Sequence, residues 1–298
     1  MSTAELLLDS GDIVGESITW DERREALFWV DIVGSRLNRF VLASGEHRVL
    51  PMDERPTSIG LCADGRLIVG LTKRVVFWDG EQEFSALAEV EPELPDNRLN
   101  EGQVAPDGSY WVGTMENNIF PDNSPKPIEG AKGRLYRVSP EGAVSRLSDD
   151  VFAITNTMCW LEDGRFVTAD TMENALFVYD VAGDRLVNRR PFTPPIERGL
   201  PDGSTMDADG FVWNCRVVGG AALARITPDG RVDRVVELPC SSPTSCTFGG
   251  PDLDRLFVTS SCFGMSAEER AARPHEGSVF VLAGLGVEGR PARRFGRG

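Results

Sequence analysis

Six oxygen-bearing side chains stand at equivalent positions along the chain, each four residues before an apolar residue that opens a predicted strand. The apolar residues are Trp20, Leu61, Val104, Trp160, Met206 and Phe248. The corresponding polar residues are Glu16, Thr57, Asn100, Asn156, Asp202 and Thr244. Carboxylate, carboxamide and hydroxyl oxygens are the ligands that hard cations such as Ca²⁺, Mg²⁺ and Mn²⁺ prefer. The pattern predicts a divalent-metal site, provided that the fold brings these positions together.

A second interpretation of the same six residues stays open, because Asn, Asp and Thr are common wherever a turn enters a strand. Turn chemistry accounts for their polarity, but not for the absence of Ser, Gly and Lys from all six positions. No Cys or His belongs to the set, which disfavours a structural zinc site.

A Ser-His-Asp hydrolase is disfavoured by the scarcity of histidine. The two histidines, His47 and His275, lie in polar, turn-like segments away from the predicted strand starts. The sequence also contains no GxSxG motif, which would place a nucleophilic serine on a strand-to-helix turn.

A repeated unit positions the six polar residues. Each of six copies has an apolar strand, a tight turn and a second apolar strand, followed by one or two further strands. Turns at Asp64, Asp107, Asp163 and Asp209 are 43, 56 and 46 residues apart, close to the roughly 40 to 50 residues of a four-stranded blade. The repeat predicts an all-β fold, a six-bladed β-propeller, in which residues of equal phase converge on a central channel.

The domain is predicted to span residues 1–298 as a single propeller. We expect the N-terminal strand ELLLDS to pair with the C-terminal blade at GSVFVLAG, so that the last sheet has no open edge. The proline-containing segment 117–132 interrupts the third copy. We interpret this segment as a loop that covers one mouth of the ring.

Composition limits the partners and the compartment. The net charge is -15, and the basic residues are scattered, so nucleic acid is an improbable ligand. The N-terminus has no basic region and only a short apolar run before Asp9. No segment elsewhere approaches the roughly 18 apolar residues of a membrane span. We therefore expect a cytoplasmic protein, not bound to membranes, that is a monomer or a small homo-oligomer. The six cysteines lack CxxC spacing and are predicted to be buried free thiols.

Seven phrases in order along the chain resemble the SMP-30/gluconolactonase/regucalcin-like (LRE) family. These phrases are GES (15–17), NRLNEG (97–102), WVGTM (111–115), ITN (154–156), LPDG (200–203), TSCTFGG (244–250) and GMSAEE (264–269). The resemblance implies a lactonase that hydrolyses a sugar-acid lactone to the open-chain acid.

The resemblance also implies roles for particular residues. One divalent metal ion (Ca²⁺, Zn²⁺, Mn²⁺, Mg²⁺ or Fe²⁺) would be held by Glu16, Asn156 and Asp202, and the sequence does not choose among these metals. Arg98 and Asn100 would bind the substrate. Asp202 is the candidate general base, because one carboxylate oxygen can bind the metal while the other accepts a proton from the adjacent water.

Some positions depart from the family pattern. Thr157 replaces a glycine that usually follows Asn156, and Asn118 stands where some members have a substrate-contacting acid. Arg216 and Val217 stand where small and aromatic residues are more usual, so Arg216 suggests a substrate with a second acidic group. Asp170, at the end of a predicted strand, faces the channel in one interpretation and is a turn residue in another.

Two other functions remain open. A metal site of this kind could hydrolyse another ester or a phosphoester, because water activation by a divalent cation is chemically general. A propeller could also serve as a non-catalytic, metal-binding platform, since the fold alone does not determine function.

Overall fold

The computed structural model describes residues 4–81 and 83–296. Six antiparallel sheets contain nearly all of the regular structure, and they are arranged as the blades of a six-bladed β-propeller. The prediction of an all-β propeller is confirmed. In the described part of the chain, the strands are interrupted by one short helix, α1 (Ala267–Ala272), whose N-terminus is capped by Ser266.

The first described strand is β1 (Ala4–Leu8), and the blades follow it in sequence order. Blade 1 contains β2 (Gly15–Asp21), β3 (Ala26–Asp31), β4 (Arg36–Val41) and β5 (Glu46–Pro51). Blade 2 contains β6 (Ser58–Cys62), β7 (Leu67–Gly70), β8 (Arg74–Trp78) and β9 (Phe84–Glu89). Blade 3 contains β10 (Asn97–Val104), β11 (Tyr110–Glu116), β12 (Leu135–Val138) and β13 (Val144–Arg146).

The second half repeats the pattern. Blade 4 contains β14 (Thr155–Trp160), β15 (Phe166–Asp170), β16 (Ala175–Ala182) and β17 (Arg185–Pro191). Blade 5 contains β18 (Leu200–Met206), β19 (Val212–Val217), β20 (Ala222–Ile226) and β21 (Val232–Glu237). Blade 6 contains β22 (Pro243–Gly249), β23 (Arg255–Ser260) and β24 (Val279–Leu282), and β25 (Arg294–Phe295) is the last strand in the described residues.

The N-terminal strand completes blade 6. Strand β1 pairs antiparallel with β24, from Ala4 opposite Leu282 to Leu8 opposite Val279. The outer edge of blade 6 is therefore formed by residues that precede blade 1 in the sequence. This pairing joins the two ends of the ring through backbone hydrogen bonds.

The hydrophobic core is divided into six layers, one between each pair of neighbouring blades. Between blades 3 and 4, for example, Trp111 packs edge-on against Trp160 and Phe166, with ring centroids 5.1 and 4.9 Å apart. The other five junctions are filled in the same way by the faces of adjacent sheets. A twisted four-stranded sheet buries both faces only when it has two neighbours, which is why the ring forms as a unit.

All six cysteines are free and buried, as predicted. Four of them, Cys62, Cys159, Cys215 and Cys246, lie on strands and pack within the layers between blades. No described helix is long and apolar enough to cross a membrane.

A C-terminal strap, residues 286–296, runs across the ends of the inner strands and was not predicted. Gly289 bridges to Asp207, and a Cβ atom at Gly289 would lie 2.0 Å from the Cβ of Phe248. Strand β25 then adds parallel to β6, and Arg294 forms a buried ion pair of 2.8 Å with Asp21. The strap closes the end of the channel opposite the starts of the inner strands, over a cavity of ≈ 190 Å³.

Candidate active site

A cavity of ≈ 250 Å³ opens at the end of the ring where the inner strands begin. All six residues proposed from the sequence line it, namely Glu16, Arg98, Asn100, Asn118, Asn156 and Asp202. Thr244 also belongs to the lining. The structure thus brings residues of five blades together around one space.

Thr57 is the exception among the six positions of equal phase, because it is not among the lining residues of this cavity. Its hydroxyl donates instead to the carbonyl oxygen of Gly70 at 3.2 Å, within its own blade. Strand β6 starts at Ser58 and pairs with β7 in an unbroken register, so nothing turns Thr57 toward the axis.

The other five inner strands share an irregularity that the sequence did not reveal. In each, the pairing register with the next strand shifts beside the polar residue. The shifts lie between Glu16 and Thr19, Leu99 and Gly102, Asn156 and Met158, Pro201 and Ser204, and Pro243 and Cys246. A bulge of this kind bends the strand and redirects the side chains next to it, and bulges are common beside active sites.

Glu16 and Asp202 form the acidic centre of the cavity. They come from blades 1 and 5, both side chains are buried, and their carboxyl groups are hydrogen bonded to each other. Burial raises the pKa of Glu16 to about 7, although the Ser17 amide, at 3.0 Å, and Arg98 oppose the shift. Burial and repulsion by Glu16 and Glu101 raise the pKa of Asp202 well above its usual value. Without a cation, the two groups are stabilised by keeping a proton between them.

Glu101 is a third buried acid near this pair, and the sequence reasoning missed it. Burial and repulsion by Glu16 raise its pKa to about 8, while hydrogen bonds from Gly102 and Gln103 oppose the shift. Regular alternation in β10 would point Glu101 away from the side occupied by Asn100. The register shift between Leu99 and Gly102 breaks that alternation.

Asn100 and Asn156 differ in which side-chain atoms remain available to a cation. Asn156 donates from its amide nitrogen to the Thr171 hydroxyl at 2.8 Å, which orients its oxygen toward Asn100, whose amide nitrogen lies 3.5 Å away. The oxygen of Asn100 accepts a hydrogen bond of 2.8 Å from Arg98, and its nitrogen donates to the Thr155 carbonyl. Asn156 is therefore better placed to offer an oxygen to a cation than Asn100.

Arg98 is held in place from two sides. Its guanidinium donates to Asn100 and to the Leu99 carbonyl, and it also reaches Asn118 at 2.9 Å. Its Nε is buried without a hydrogen-bond partner among the described residues. Burial lowers the pKa of Arg98 to about 10, which leaves the side chain charged at neutral pH. The site thus presents a cation that is fixed in position by three hydrogen bonds.

The segment 117–132 extends from blade 3 over its neighbours. Ile119 packs with Ile32, Val33 and Leu71 of blades 1 and 2. Arg55, which precedes blade 2, donates to the side chain of Asn123 at 2.7 Å. These contacts hold Asn118 beside Arg98.

Thr157 adopts the backbone conformation for which the family pattern uses glycine, with φ at 55°. Its hydroxyl donates to the Asp202 carbonyl oxygen at 2.6 Å and lies 2.8 Å from the Ser204 hydroxyl. A threonine in this conformation is strained, and these hydrogen bonds between blades 4 and 5 compensate for the strain.

The structure does not place Arg216 in the cavity lining. Its guanidinium is buried and donates to Asn214, to Asn174 and to the carbonyls of Arg198, Ile196 and Gly199. These five acceptors use the hydrogen-bond donors of the Arg216 guanidinium, so its positive charge is not available to a substrate. The suggestion that Arg216 favours an acidic substrate was therefore wrong, because this guanidinium does not line the cavity.

Asp170 is a turn residue, as the second interpretation held. Its carboxylate accepts from the backbone amides of Ala153, Ile154 and Met172, at 2.7 to 3.3 Å.

The lining fits a hard divalent cation. Among residues 4–81 and 83–296, no three His, Cys, Asp or Glu side chains form a metal-binding group. The candidate ligands are two carboxylates with an amide oxygen, which is a donor set for Ca²⁺, Mg²⁺ or Mn²⁺ rather than for structural zinc. A cation between Glu16 and Asp202 would favour the charged form of both buried groups, opposing the burial that raises both pKa values and the repulsion by Glu16 that adds to the shift of Asp202.

Comparison with known proteins agrees with this architecture. The family model described as SMP-30/Gluconolactonase/LRE-like region matches residues 14–262, which contain all six residues proposed from the sequence. The chain belongs to this family.

Several relatives within the SMP-30/gluconolactonase/LRE-like family are similar over nearly their whole length. Regucalcin of Gallus gallus is 34% identical over 289 residues, covering 95% of this chain and 94% of the relative. L-arabinolactonase of Azospirillum brasilense is 35% identical over 283 residues, covering 93% of this chain and 91% of the relative. The crystal structure of regucalcin from Agrobacterium tumefaciens, a calcium-binding protein, superposes with a TM-score of 0.89 at 27% identity, covering 99% and 97% of the two chains. The family and its named members indicate activity of the lactonase type.

Proposed function

We propose that this protein is a metal-dependent lactonase that hydrolyses a sugar-acid lactone to the open-chain aldonic acid. The observation that carries the proposal is the pairing of two buried carboxyl groups, Glu16 and Asp202, beside a fixed Arg98 in an open cavity. The relative named L-arabinolactonase supports an aldonolactone as the substrate.

Glu16, Asn156 and Asp202 would hold one divalent cation. When bound, the cation would polarise the lactone carbonyl and lower the pKa of a water molecule. The calcium-binding regucalcin supports Ca²⁺ as one candidate, and the donor set also suits Mg²⁺ and Mn²⁺.

Asp202 acts as the general base in this proposal. Its carboxylate accepts a proton from the attacking water, whose oxygen bonds to the lactone carbonyl carbon. The bond between that carbon and the ring oxygen then breaks, and the proton passes from Asp202 to the ring oxygen. The products are a carboxylic acid and a free hydroxyl group on one open chain.

Arg98 and Asn100 orient the substrate. The guanidinium of Arg98 lines the cavity and is held by Asn100, Asn118 and the Leu99 carbonyl, so its charge would meet a lactone oxygen from a fixed position. A charged donor that is fixed before substrate arrives stabilises developing negative charge without having to reorganise.

The test is lactone hydrolysis by protein stripped of metal with EDTA and then resupplied with one divalent cation at a time. Acid release is followed with an indicator across five- and six-membered aldonolactones. We expect activity that is restored by metal and reduced about 10³-fold in Asp202→Ala. Asp252→Ala, an exposed acid on a turn of blade 6, is the matched control and should retain activity.

Two alternative functions are separated by the same experiment. Metal-restored hydrolysis of simple esters or phosphoesters, with no lactone turned over, would favour another hydrolase. Tight metal uptake with no hydrolysis of any substrate would favour a non-catalytic, metal-binding platform.

We also propose that the enzyme works in the cytoplasm. The support is that all six cysteines are free thiols, as is usual in a reducing compartment.

A further inference from the structure

The candidate cavity has walls of a different character from its acidic centre. The loops that follow the second strands of blades 1, 4, 5 and 6, together with the segment 117–132, contribute apolar side chains to its lining. We call five of these the wall residues: Val33, Ile119, Met172, Val218 and Phe263. An aldonolactone has a hydroxyl group on nearly every carbon, so walls of this kind are not complementary to a fully hydroxylated substrate.

Polar side chains near the wall residues are largely engaged within the protein. The Thr171 hydroxyl donates to the Pro201 carbonyl at 2.8 Å, and the Ser261 hydroxyl donates to the Ile13 carbonyl at 3.0 Å. The side-chain oxygen of Asn118 accepts from Arg98, while its amide nitrogen and the Ser242 hydroxyl remain as polar groups that a ligand could meet. A substrate hydroxyl placed against the wall residues would lose water and find few partners there.

Two wall residues are exposed at the mouth of the cavity. Met172 is 58% exposed and Val218 is 64% exposed, the highest values among the large apolar side chains identified as exposed. They come from neighbouring blades, 4 and 5, and both line the same cavity. Exposed apolar groups at the entrance to a polar site are typical of a surface that is covered when a ligand binds.

Val218 is also in an unfavourable backbone conformation. Its φ is 56°, in the left-handed region, where a β-branched residue is a genuine outlier. Asparagine or glycine would adopt this conformation with less strain. Strained residues are enriched at binding sites, and Val218 both has this conformation and lines the cavity, so its side chain is a candidate ligand contact.

We propose that the wall residues select a lactone whose terminal carbon is a methyl group, a deoxy-sugar lactone, over the counterpart with a terminal hydroxymethyl group. This inference rests on the proposed lactonase function and specifies its substrate class. The acidic centre and Arg98 bind the carbonyl end, which both substrates share. The wall residues contact the other end, where the two substrates differ by one oxygen atom.

The experiment compares matched substrates with metal-restored protein. The pairs are D-galactono-γ-lactone with D-fucono-γ-lactone, and L-mannono-γ-lactone with L-rhamnono-γ-lactone. We expect kcat/KM to favour the deoxy member of at least one pair by roughly 10-fold to 100-fold, the discrimination available when a hydroxyl group meets an apolar pocket. Equal values in both pairs, or a preference for the hydroxylated members, would overturn this inference and leave the proposed lactonase function standing.

Variants of the wall residues assign the preference to this surface. Val218→Asn and Met172→Gln should each reduce the deoxy preference at least about threefold. Val232→Asn, an exposed valine on the outer strand β21, should leave the preference unchanged. A preference unaffected by both wall variants would contradict the assignment.

Thermal unfolding gives a readout that does not depend on activity. Because asparagine tolerates the left-handed conformation, Val218→Asn should raise the Tm by about 2–4 °C. A lower Tm would refute the claim that valine is strained here. If metal-restored protein hydrolyses no lactone at all, the proposed function and this inference both fail.

Discussion

The guanidinium of Arg98, on an inner strand, donates a hydrogen bond of 2.9 Å to the side-chain oxygen of Asn118, on the segment that crosses toward blades 1 and 2. This bond fixes the candidate substrate-binding cation from outside its own strand. We predict that Asn118→Ala raises KM about 10-fold with a smaller change in kcat, because Arg98 loses one of its fixed acceptors. Steady-state kinetics on the best lactone measures both constants.

Two further variants make the Asn118 experiment specific. Asn118→Asp keeps an acceptor for Arg98 and should have a smaller effect than alanine. Asn123→Ala, in the same segment but bonded to Arg55, should have none. A change of less than twofold in the KM of Asn118→Ala would show that substrate binding by Arg98 does not depend on this hydrogen bond.

Replacement of Asp202 should separate stability from function. At a pH of about 8, the metal-free protein must either keep Asp202 protonated or bury its charge beside Glu16, and both states cost folding free energy, so Asp202→Asn should raise its Tm by about 2–4 °C. The same change removes a proposed metal ligand, so the increase in Tm on adding Ca²⁺ or Mn²⁺ should disappear. Differential scanning calorimetry, with and without metal, measures both effects.

Asp252→Asn is the control for the Asp202 experiment and should change neither quantity. An Asp202→Asn protein that was still stabilised by metal to the normal extent would exclude Asp202 as a ligand.

Stability without metal should fall as the pH rises through neutrality. Glu16 and Glu101 have pKa values raised from 4.5 to about 7 and about 8, and the buried Asp12 has one raised from 3.8 to about 7. A raised folded-state pKa means that the native protein binds the proton more tightly than the unfolded chain. Its stabilisation is complete below the unfolded pKa and is lost as the pH passes the folded value. We expect the Tm in EDTA to fall by at least about 5 °C between pH values of about 5 and 8.

Metal should reverse this trend, because its ligands bind only after losing their protons. The increase in Tm caused by metal should therefore grow over the same pH range. Asp12→Asn and Glu16→Gln should each weaken the dependence of the Tm on pH in EDTA. Only Glu16→Gln should reduce the increase in Tm that metal causes. A Tm in EDTA that did not depend on pH would contradict the raised pKa values.

The C-terminal strap should contribute to stability without taking part in catalysis. Arg294 and Asp21 are almost completely buried, and Arg294→Met would leave Asp21 with Arg24 as its remaining cation. We predict a loss of about 2–3 kcal/mol in the free energy of unfolding, measured with urea. Arg231→Met, which removes an exposed pair with Asp229, should cost less than about 0.5 kcal/mol. Below the melting transition, Arg294→Met should keep the normal kcat/KM, and a selective loss of activity would contradict a purely structural role.

Much of the fold could be predicted because a propeller repeats its own pattern. Apolar strands and tight turns recur with the period of a blade, and rotation brings equal phases together. The same reasoning identified Glu16, Asn156 and Asp202, which all line the cavity.

The features that were not predicted correctly depend on local structure that does not repeat from blade to blade. Glu101 was missed because a register shift in β10 breaks the alternation on which the prediction relied. Thr57 was included because its position in the repeat matches that of the other five residues. Position alone does not show that β6 lacks such a register shift. Arg216 looked like a channel cation, but its backbone acceptors lie in loops that carry no sequence signal. The strap has a two-residue strand and no apolar repeat, so nothing in the sequence distinguished it from a tail.

The pairing of β1 with β24 has a consequence for how the chain is made. The edge strand β1 leaves the ribosome before all the strands of blades 1 to 5, and its partner β24 leaves only after them. At roughly 5–20 residues per second, β1 waits many seconds for its partner during synthesis. Over that time Glu16 and Asp202 belong to an open arc of blades. Ring closure, and with it the final arrangement of the candidate metal ligands, must therefore await the emergence of β24.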